Sequence, residues 1–265
     1  MPKKSQEATQ HLRVGVAGCA GRMGSTIAEM LRSGAFPDMV LAGGSILKGD
    51  AAPENMFVTM DPADLFARSD AVIDFTTPEA GRTHAMLAIQ GHKVLVVGTS
   101  GLSADDEDVL STAAGEARVV YAPNMSLGVN LLFALAQRAA AVLGPDWDAE
   151  ILDVHHAGKV DAPSATSYAL AQAVADGRQQ FPPRLTLVRK GRTGAREAGS
   201  IGFAVQRGGD VVAENAVTFF GTGERLELVH RACDRAIFAR GALAAARWAA
   251  GQPPGLYSMT DVLGL

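Results

Sequence analysis

The chain has 265 residues, 48% of them hydrophobic and 20% charged, with a formal net charge of -4. That length and apolar content suit two domains with substantial cores, and the charge supplies no field for nucleic acid or an anionic membrane. Two widely separated cysteines, Cys19 and Cys233, make neither a disulfide framework nor a metal-ligand spacing, so a reducing compartment such as the cytoplasm is expected.

The polar start, Met1–His11 with Lys3 and Lys4, is followed by no apolar run, so no signal peptide is expected. No uncharged stretch reaches the roughly 18–20 apolar residues of a membrane span. From Arg13 the chain alternates short apolar runs with helical patterns. Strands are predicted over Arg13–Ala17, Met39–Gly43, Ala71–Phe75, Lys93–Val97 and Arg118–Tyr121, and helices over Gly24–Ser33, Pro62–Arg68, Glu79–Gln90 and Ser103–Glu116. Strands apolar on both faces and separated by helices predict a parallel sheet covered on both sides.

After Asn124 the pattern changes. A long helix is predicted over Gly128–Leu143, stopped by Gly144-Pro145, then a strand over Ala149–His155 and a helix over Ser164–Ala175 with Pro163 near its first turn. Strand-like runs follow at Leu185–Arg189, Ser200–Gln206, Val211–Phe219 and Leu226–His230, with Gly208-Gly209-Asp210 predicting a hairpin turn between two of them. Gly191–Gly199 reads as a Gly- and Arg-rich loop that is mobile before ligand binds, and Asp234–Ala250 as an Ala-rich closing helix. The fold class expected is therefore α/β: a Rossmann-type doubly wound parallel sheet formed by residues 1–126 and 234–265. An α+β substrate-binding and oligomerisation domain is inserted at 127–233.

Two motifs carry chemistry. The first strand runs into Gly18-Cys19-Ala20-Gly21-Arg22-Met23-Gly24 and then a helix. Glycines at such a turn let backbone approach a pyrophosphate, which the helix N-terminus attracts. Cys19 reads as a small filler there rather than an activated thiol. The acid that often follows the second strand is missing from Gly43–Gly49, where Ser45 and Lys48 stand instead; NADPH is thus expected to bind at least as well as NADH.

The second motif is Glu150–Thr166 (EILDVHHAGKVDAPSAT), in which a strand delivers His155 and His156, a loop supplies Lys159, and a helix starts near Ser164, Ala165 and Thr166. The first amides of that helix form an anion site suited to a carboxylate. Lys159 and a histidine can serve as proton donors. His155 and His156, adjacent on a strand, point to opposite faces, so no metal site is expected.

With these motifs go Asp74–Glu79 (DFTTPE), Gly98–Gly101 (GTSG), Ala122–Asn130 (APNMSLGVN), Ser200–Phe203 (SIGF) and Gly223–Leu226 (GERL). From Val14 to Leu263 the chain resembles the 4-hydroxy-tetrahydrodipicolinate reductase (dihydrodipicolinate reductase) family. The resemblance implies NAD(P)H-dependent reduction of a cyclic imine dicarboxylate to tetrahydrodipicolinate, in diaminopimelate and lysine synthesis. It implies that Gly18, Gly21, Arg22 and Met23 contact the cofactor, as do Gly98, Thr99 and Ser100 and the hinge segment Ala122, Pro123, Asn124 and Met125. His155 and Lys159 match the acid/base pair, with Lys159 the favoured donor. His156 matches a substrate-binding histidine, and Ala165 and Thr166 the pair that holds a substrate carboxylate. A homotetramer built through the C-terminal sheet is implied as well. Where the family has glycine in a PSGT motif this chain has Ala165, and where it often has arginine in DFTRPE it has Thr77. Two other readings, a semialdehyde-type dehydrogenase and a non-enzymatic redox sensor, fit less well. The first needs a nucleophilic cysteine in the catalytic domain, and the second has no use for the HHxxK run.

Overall fold

In the computed structural model, residues 11–265 are described; the polar start lies largely outside them. The alternating pattern forms as predicted, in the order β1 (Leu12–Ala17), α1 (Arg22–Arg32), β2 (Met39–Ser45), β3 (Val58–Thr59), α2 (Pro62–Arg68), β4 (Ala71–Asp74), α3 (Pro78–Gly91), β5 (Val94–Val97), α4 (Ala104–Ala113) and β6 (Arg118–Tyr121). Every residue of β4 and β5 is buried, which is why these runs show no polar alternation. The next elements are α5 (Leu127–Leu143), β7 (Asp148–His155), α6 (Ala165–Gly177), β8 (Leu185–Thr186), β9 (Ile201–Arg207), β10 (Ala213–Gly221), β11 (Glu224–Ala232), α7 (Ala236–Ala249), β12 (Gly255–Tyr257) and α8 (Met259–Leu263).

The described chain divides into two compact units. One runs to Met125 and resumes over Phe238–Gly264; the other is Ser126–Ile237. The first holds a seven-stranded sheet of order β12-β6-β5-β4-β1-β2-β3 with all pairings parallel. Successive strands leave the centre in opposite directions from the β1–β4 pair, and a crevice opens there beyond the carboxyl ends of the strands. Ala17, Val72, Leu95, Val97 and Val119 pack with Leu65, Leu110 and Ala113 from the helices. β12 pairs parallel with β6, Leu256 opposite Val119. Strands as short as β3 and β12 show no period in sequence, and they went unpredicted for that reason.

The second unit is a mixed sheet of order β11-β10-β7-β9-β8. Leu132 and Ala136 of α5 and Leu170 and Val174 of α6 pack on Ile151, Phe203, Val217 and Phe219. The turn at Gly208-Gly209-Asp210 does not join a hairpin. β9 pairs parallel with β7 and β10 antiparallel with β7, so the turn passes over the end of a central strand. Ala157 N–H donates to Gly209 O at 3.1 Å and Gly208 N–H to His155 O at 3.0 Å. The hairpin is instead β10–β11, closed at the Gly221–Glu224 pair.

In the Gly191–Gly199 loop the Arg196 guanidinium donates to Ala149 O at 2.8 Å, Asp148 at 2.8 Å and Glu150 at 3.1 Å. Pro163 precedes the cap residue Ser164 and lies just outside α6, which starts at Ala165. Among the described residues no helix is long and apolar enough to cross a membrane.

Candidate active site

In the first unit, the crevice beyond β1 and β4 is walled by Gly18, Gly21, Ser45, Ile46, Leu47 and Asp50 on one side and by Phe75–Thr77, Ala80, Thr83 and His84 on the other. A second recess, formed by Gly21, Arg22, Met23, Phe75, Thr76 and Gly98–Ser100, adjoins it. Gly18 has φ +74°, a conformation that disfavours a side chain, and a Cβ on Gly24 would collide with Gly18 O. The turn therefore stays tight against α1.

Helices α2 to α6 each begin with a side chain accepting from a first-turn amide: Asp61, Thr77, Ser103, Ser126 and Ser164. α1 begins with Gly21, without a side-chain cap or an acid in its first turn. Its leading amides and the positive end of its dipole are left for an anion. These residues fit a dinucleotide, with the pyrophosphate against the turn from Gly18 to Met23.

The cofactor candidates separate by position. Gly18, Gly21, Arg22, Met23, Ser45 and Gly98–Ser100 all line the crevice or the recess. Cys19 faces inward: it is fully buried, and its side chain occupies the space a Cβ on Gly44 would need. Burial pushes its thiol pKa up, in keeping with a filler. Ala20 is exposed on the turn. Ala122–Met125 continue from the carboxyl end of β6 as Gly98 does from that of its parallel neighbour β5, with Ala122 and Met125 buried. Lys48 is exposed and lies off the wall, whereas Asp50 is on it, its Oδ2 accepting from Leu47 N–H at 2.9 Å. The turn after β2 thus does present a carboxylate: the Asp50 side chain folds back onto the Leu47 amide, one residue beyond the Gly43–Gly49 stretch in which the sequence lacks an acid.

Sequence reasoning also missed a buried pair at the crevice floor. Asp74 Oδ2 lies 2.6 Å from His84 Nδ1, and its Oδ1 accepts from Thr76 N–H at 2.8 Å and from Thr76 Oγ1–H at 2.6 Å. The available signal was helical spacing: Ala80, Thr83 and His84 share one face of α3.

The second unit holds the polar cluster, and β7 alternation places Asp153 and His155 on one buried face. Asp153 is fully buried. Its Oδ2 accepts from Ser164 N–H at 2.6 Å and from Arg207 at 3.4 Å. Its Oδ1 lies 2.6 Å from His155 Nδ1, and neither atom has another partner among the described residues. Burial lowers the His155 pKa, with Lys159 and Arg207 acting in the same direction and Asp153 opposing them. A turn closed by Lys159 N–H to His156 O at 3.1 Å brings Lys159 back, and its Nζ donates to Asp161 Oδ1 at 2.8 Å. His156 lies over that turn, its Nδ1 3.5 Å from where a Cβ of Gly158 would stand.

Ser164 differs from its expected role. Its amide is taken by Asp153, and its Oγ accepts from Ser167 N–H at 3.2 Å, so the Ser164 amide is not open to a ligand. Asp153 and Arg207 were not singled out in sequence, since Arg207 comes from a strand 54 residues away. Among the described residues no group of three His, Cys, Asp or Glu side chains is placed to hold a metal ion.

A glycine turn suited to a dinucleotide on a parallel sheet, and a cluster of His155, Asp153 and Lys159 beside a helix N-terminus, fit the class of pyridine-nucleotide oxidoreductases acting on a small acidic substrate. Comparison with known proteins narrows this class. Residues 12–125 match the model for dihydrodipicolinate reductase, N-terminus, and residues 128–263 that for its C-terminus. The 4-hydroxy-tetrahydrodipicolinate reductase of Brucella abortus is 48% identical over 94% of this chain and 98% of its own length. That of Agrobacterium fabrum is 47% identical over 96% and 97%. A dipicolinate-bound dihydrodipicolinate reductase from Paenisporosarcina sp. TG-14 superposes with a TM-score of 0.81 at 26% identity, covering 95% of this chain and 98% of that one. The chain belongs to the dihydrodipicolinate reductase family. Its activity is the NAD(P)H-dependent reduction of 4-hydroxy-tetrahydrodipicolinate in diaminopimelate and lysine synthesis.

Proposed function

We propose that Lys159 is the proton donor of this reduction, with His155 beside it, and that the Ala165 and Thr166 end of α6 holds a substrate carboxylate. What supports this reading is one carboxylate, Asp153, that touches the His155 ring and the first amide of α6 together. His156, on the turn that returns Lys159, contacts the substrate from the loop side. In this reading residues 127–233 form the substrate-binding and oligomerisation domain, and 1–126 with 234–265 the dinucleotide domain. Dipicolinate, held by the Paenisporosarcina relative, is a planar dicarboxylate of the kind this site would take.

The bound nicotinamide supplies the hydride. The chain's own residues do the rest: Gly18–Met23 hold the phosphates, Gly98–Ser100 and Ala122–Met125 border the nicotinamide end, and Lys159 delivers the proton. The substrate is a small molecule, with no nucleic acid or membrane as partner. We place the enzyme in the cytoplasm, where its free Cys19 and Cys233 stay reduced.

Cofactor choice would be decided in the turn after β2. A carboxylate there accepts from a ribose 2′-OH and repels a 2′-phosphate. With Asp50 on the wall and Lys48 off it, the expected order becomes NADH at least as good as NADPH, opposite to the reading of the sequence. Initial rates with each cofactor at equal concentration, with and without the imine, test both points. Oxidation should require the imine; cofactor consumption in its absence at the same rate would refute the reaction. Asp50→Asn should move the preference about tenfold toward NADPH, the size of one charged hydrogen bond. A wild type selective for NADPH would remove Asp50 from this role.

The homotetramer would form through the sheet face turned away from α5 and α6. On that face Val229, Ala216, Leu152 and Ala204 stand in register across four strands. Phe220 and Val229 are 41% and 43% exposed, large for an apolar pair on one face. The Arg225–Glu227 and Arg231–Glu214 pairs lie among them. Light scattering should give the mass of four 27.6 kDa chains; a monomer at micromolar concentration would count against the interface.

A further inference from the structure

Asp153 touches no part of the reaction directly under the reading above, yet it is the most constrained ionisable group in its unit. Its side chain has no exposure, and a buried carboxylate is costly unless its oxygens are met. One oxygen is met by Ser164 N–H and Arg207. The other faces only His155 Nδ1. Arg207 in turn donates to Asp161 O at 2.8 Å, so the loop that carries Lys159 is tied to the same group.

We propose that Asp153 is a positioning residue for the reduction: it orients the His155 ring through Nδ1 and fixes the first turn of α6, so that proton transfer and carboxylate binding share one geometry. This rests on the acid/base reading of His155 and Lys159. A cap for α6 needs only an acceptor, which asparagine or serine would supply. A carboxylate adds what they cannot, an acceptor-only group at Nδ1. It holds the proton on that nitrogen, leaves Nε2 as the basic atom, and stabilises the imidazolium when it forms.

Asp153→Asn is the informative variant. Its carbonyl can still accept from Ser164 N–H, while its NH₂ would face Nδ1 and demand the opposite tautomer. The groups facing His155 are Asp153 on its own strand, Lys159 paired with Asp161 on the loop, and Arg207 on β9. Removing the one anion in direct contact leaves burial and two cations, so the imidazole should hold its proton less well.

In the full-length enzyme we expect Asp153→Asn to lower kcat about 10–100-fold, the usual effect of losing a group that orients a reacting side chain. The acidic limb of the kcat/KM profile should move to lower pH, with NADH affinity near wild type. Wild-type kcat together with an unmoved acidic limb would overturn the proposal. Should the variant fail to fold, ¹⁵N-histidine NMR of the wild type, with His155 assigned by His155→Gln, decides the matter: the neutral ring should carry its proton on Nδ1, and an Nε2–H tautomer overturns the assignment. If Lys159→Ala and His155→Ala keep normal turnover, the acid/base reading itself fails. If they lose it and Asp153→Asn does not, only the positioning role does.

Discussion

Replacing Lys159 by alanine is expected to lower kcat by about 10²–10⁴-fold and to leave dinucleotide affinity near wild type. The proposed donor is 20% exposed, and its partner is the more exposed carboxylate of Asp161. Lys159 holds that carboxyl below its ordinary pKa through the shared hydrogen bond. An exposed pair of this kind contributes little to folding, so the melting temperature should hardly move. The turn closed on His156 O depends on the Lys159 backbone and survives the substitution. His155→Ala should reduce turnover more mildly, since the proton donor remains. Steady-state rates with saturating imine, paired with calorimetric titration of NADH, separate the two effects. Near wild-type turnover in Lys159→Ala would exclude it as the proton donor.

Ala165→Pro should raise KM for the dicarboxylate about 10–100-fold while kcat and stability stay close to wild type. Ala165 is the first residue of α6, after the cap residue Ser164. Proline is tolerated at that position, where its missing N–H has no helical acceptor. The chain already uses it so in α2 and α3, which begin with Pro62 and Pro78. Ser164 has φ −70° and ψ 157°, the extended conformation required before proline. The substitution therefore deletes one amide donor and little else. A charge-assisted hydrogen bond contributes about 1.5–3 kcal/mol, which converts to the stated change in KM. An unchanged KM in a folded Ala165→Pro enzyme would take this amide out of the carboxylate site.

Much of the architecture was legible before any coordinates. α2 and β6 run over the residues predicted, and β7 differs by a single residue at its start. These elements carry strong local signals: Asp61-Pro62 opens α2, and β7 alternates buried and half-buried positions along its whole length. Where prediction failed, the deciding interaction was remote. The Gly208–Asp210 turn has the composition of a hairpin, but β7, from earlier in the chain, lies between the strands it joins.

The candidate site divides in the same way. The sequence by itself determined the family, the glycine turn and the presence of His155, Lys159 and an anion-binding helix end on one short stretch, because these depend on residue type and close spacing. Only the tertiary structure decided how the parts are engaged. It turned Cys19 inward against Gly44, withdrew the Ser164 amide to Asp153, set Lys48 off the crevice wall and put Asp50 on it. It brought His84 to Asp74 and Arg207 to Asp153. The physical reason is that a buried polar atom must find a partner wherever the fold places one. In this chain those partners come from the next helix, from a turn beyond the strand, or from a strand 54 residues on, distances at which composition and periodicity carry no information.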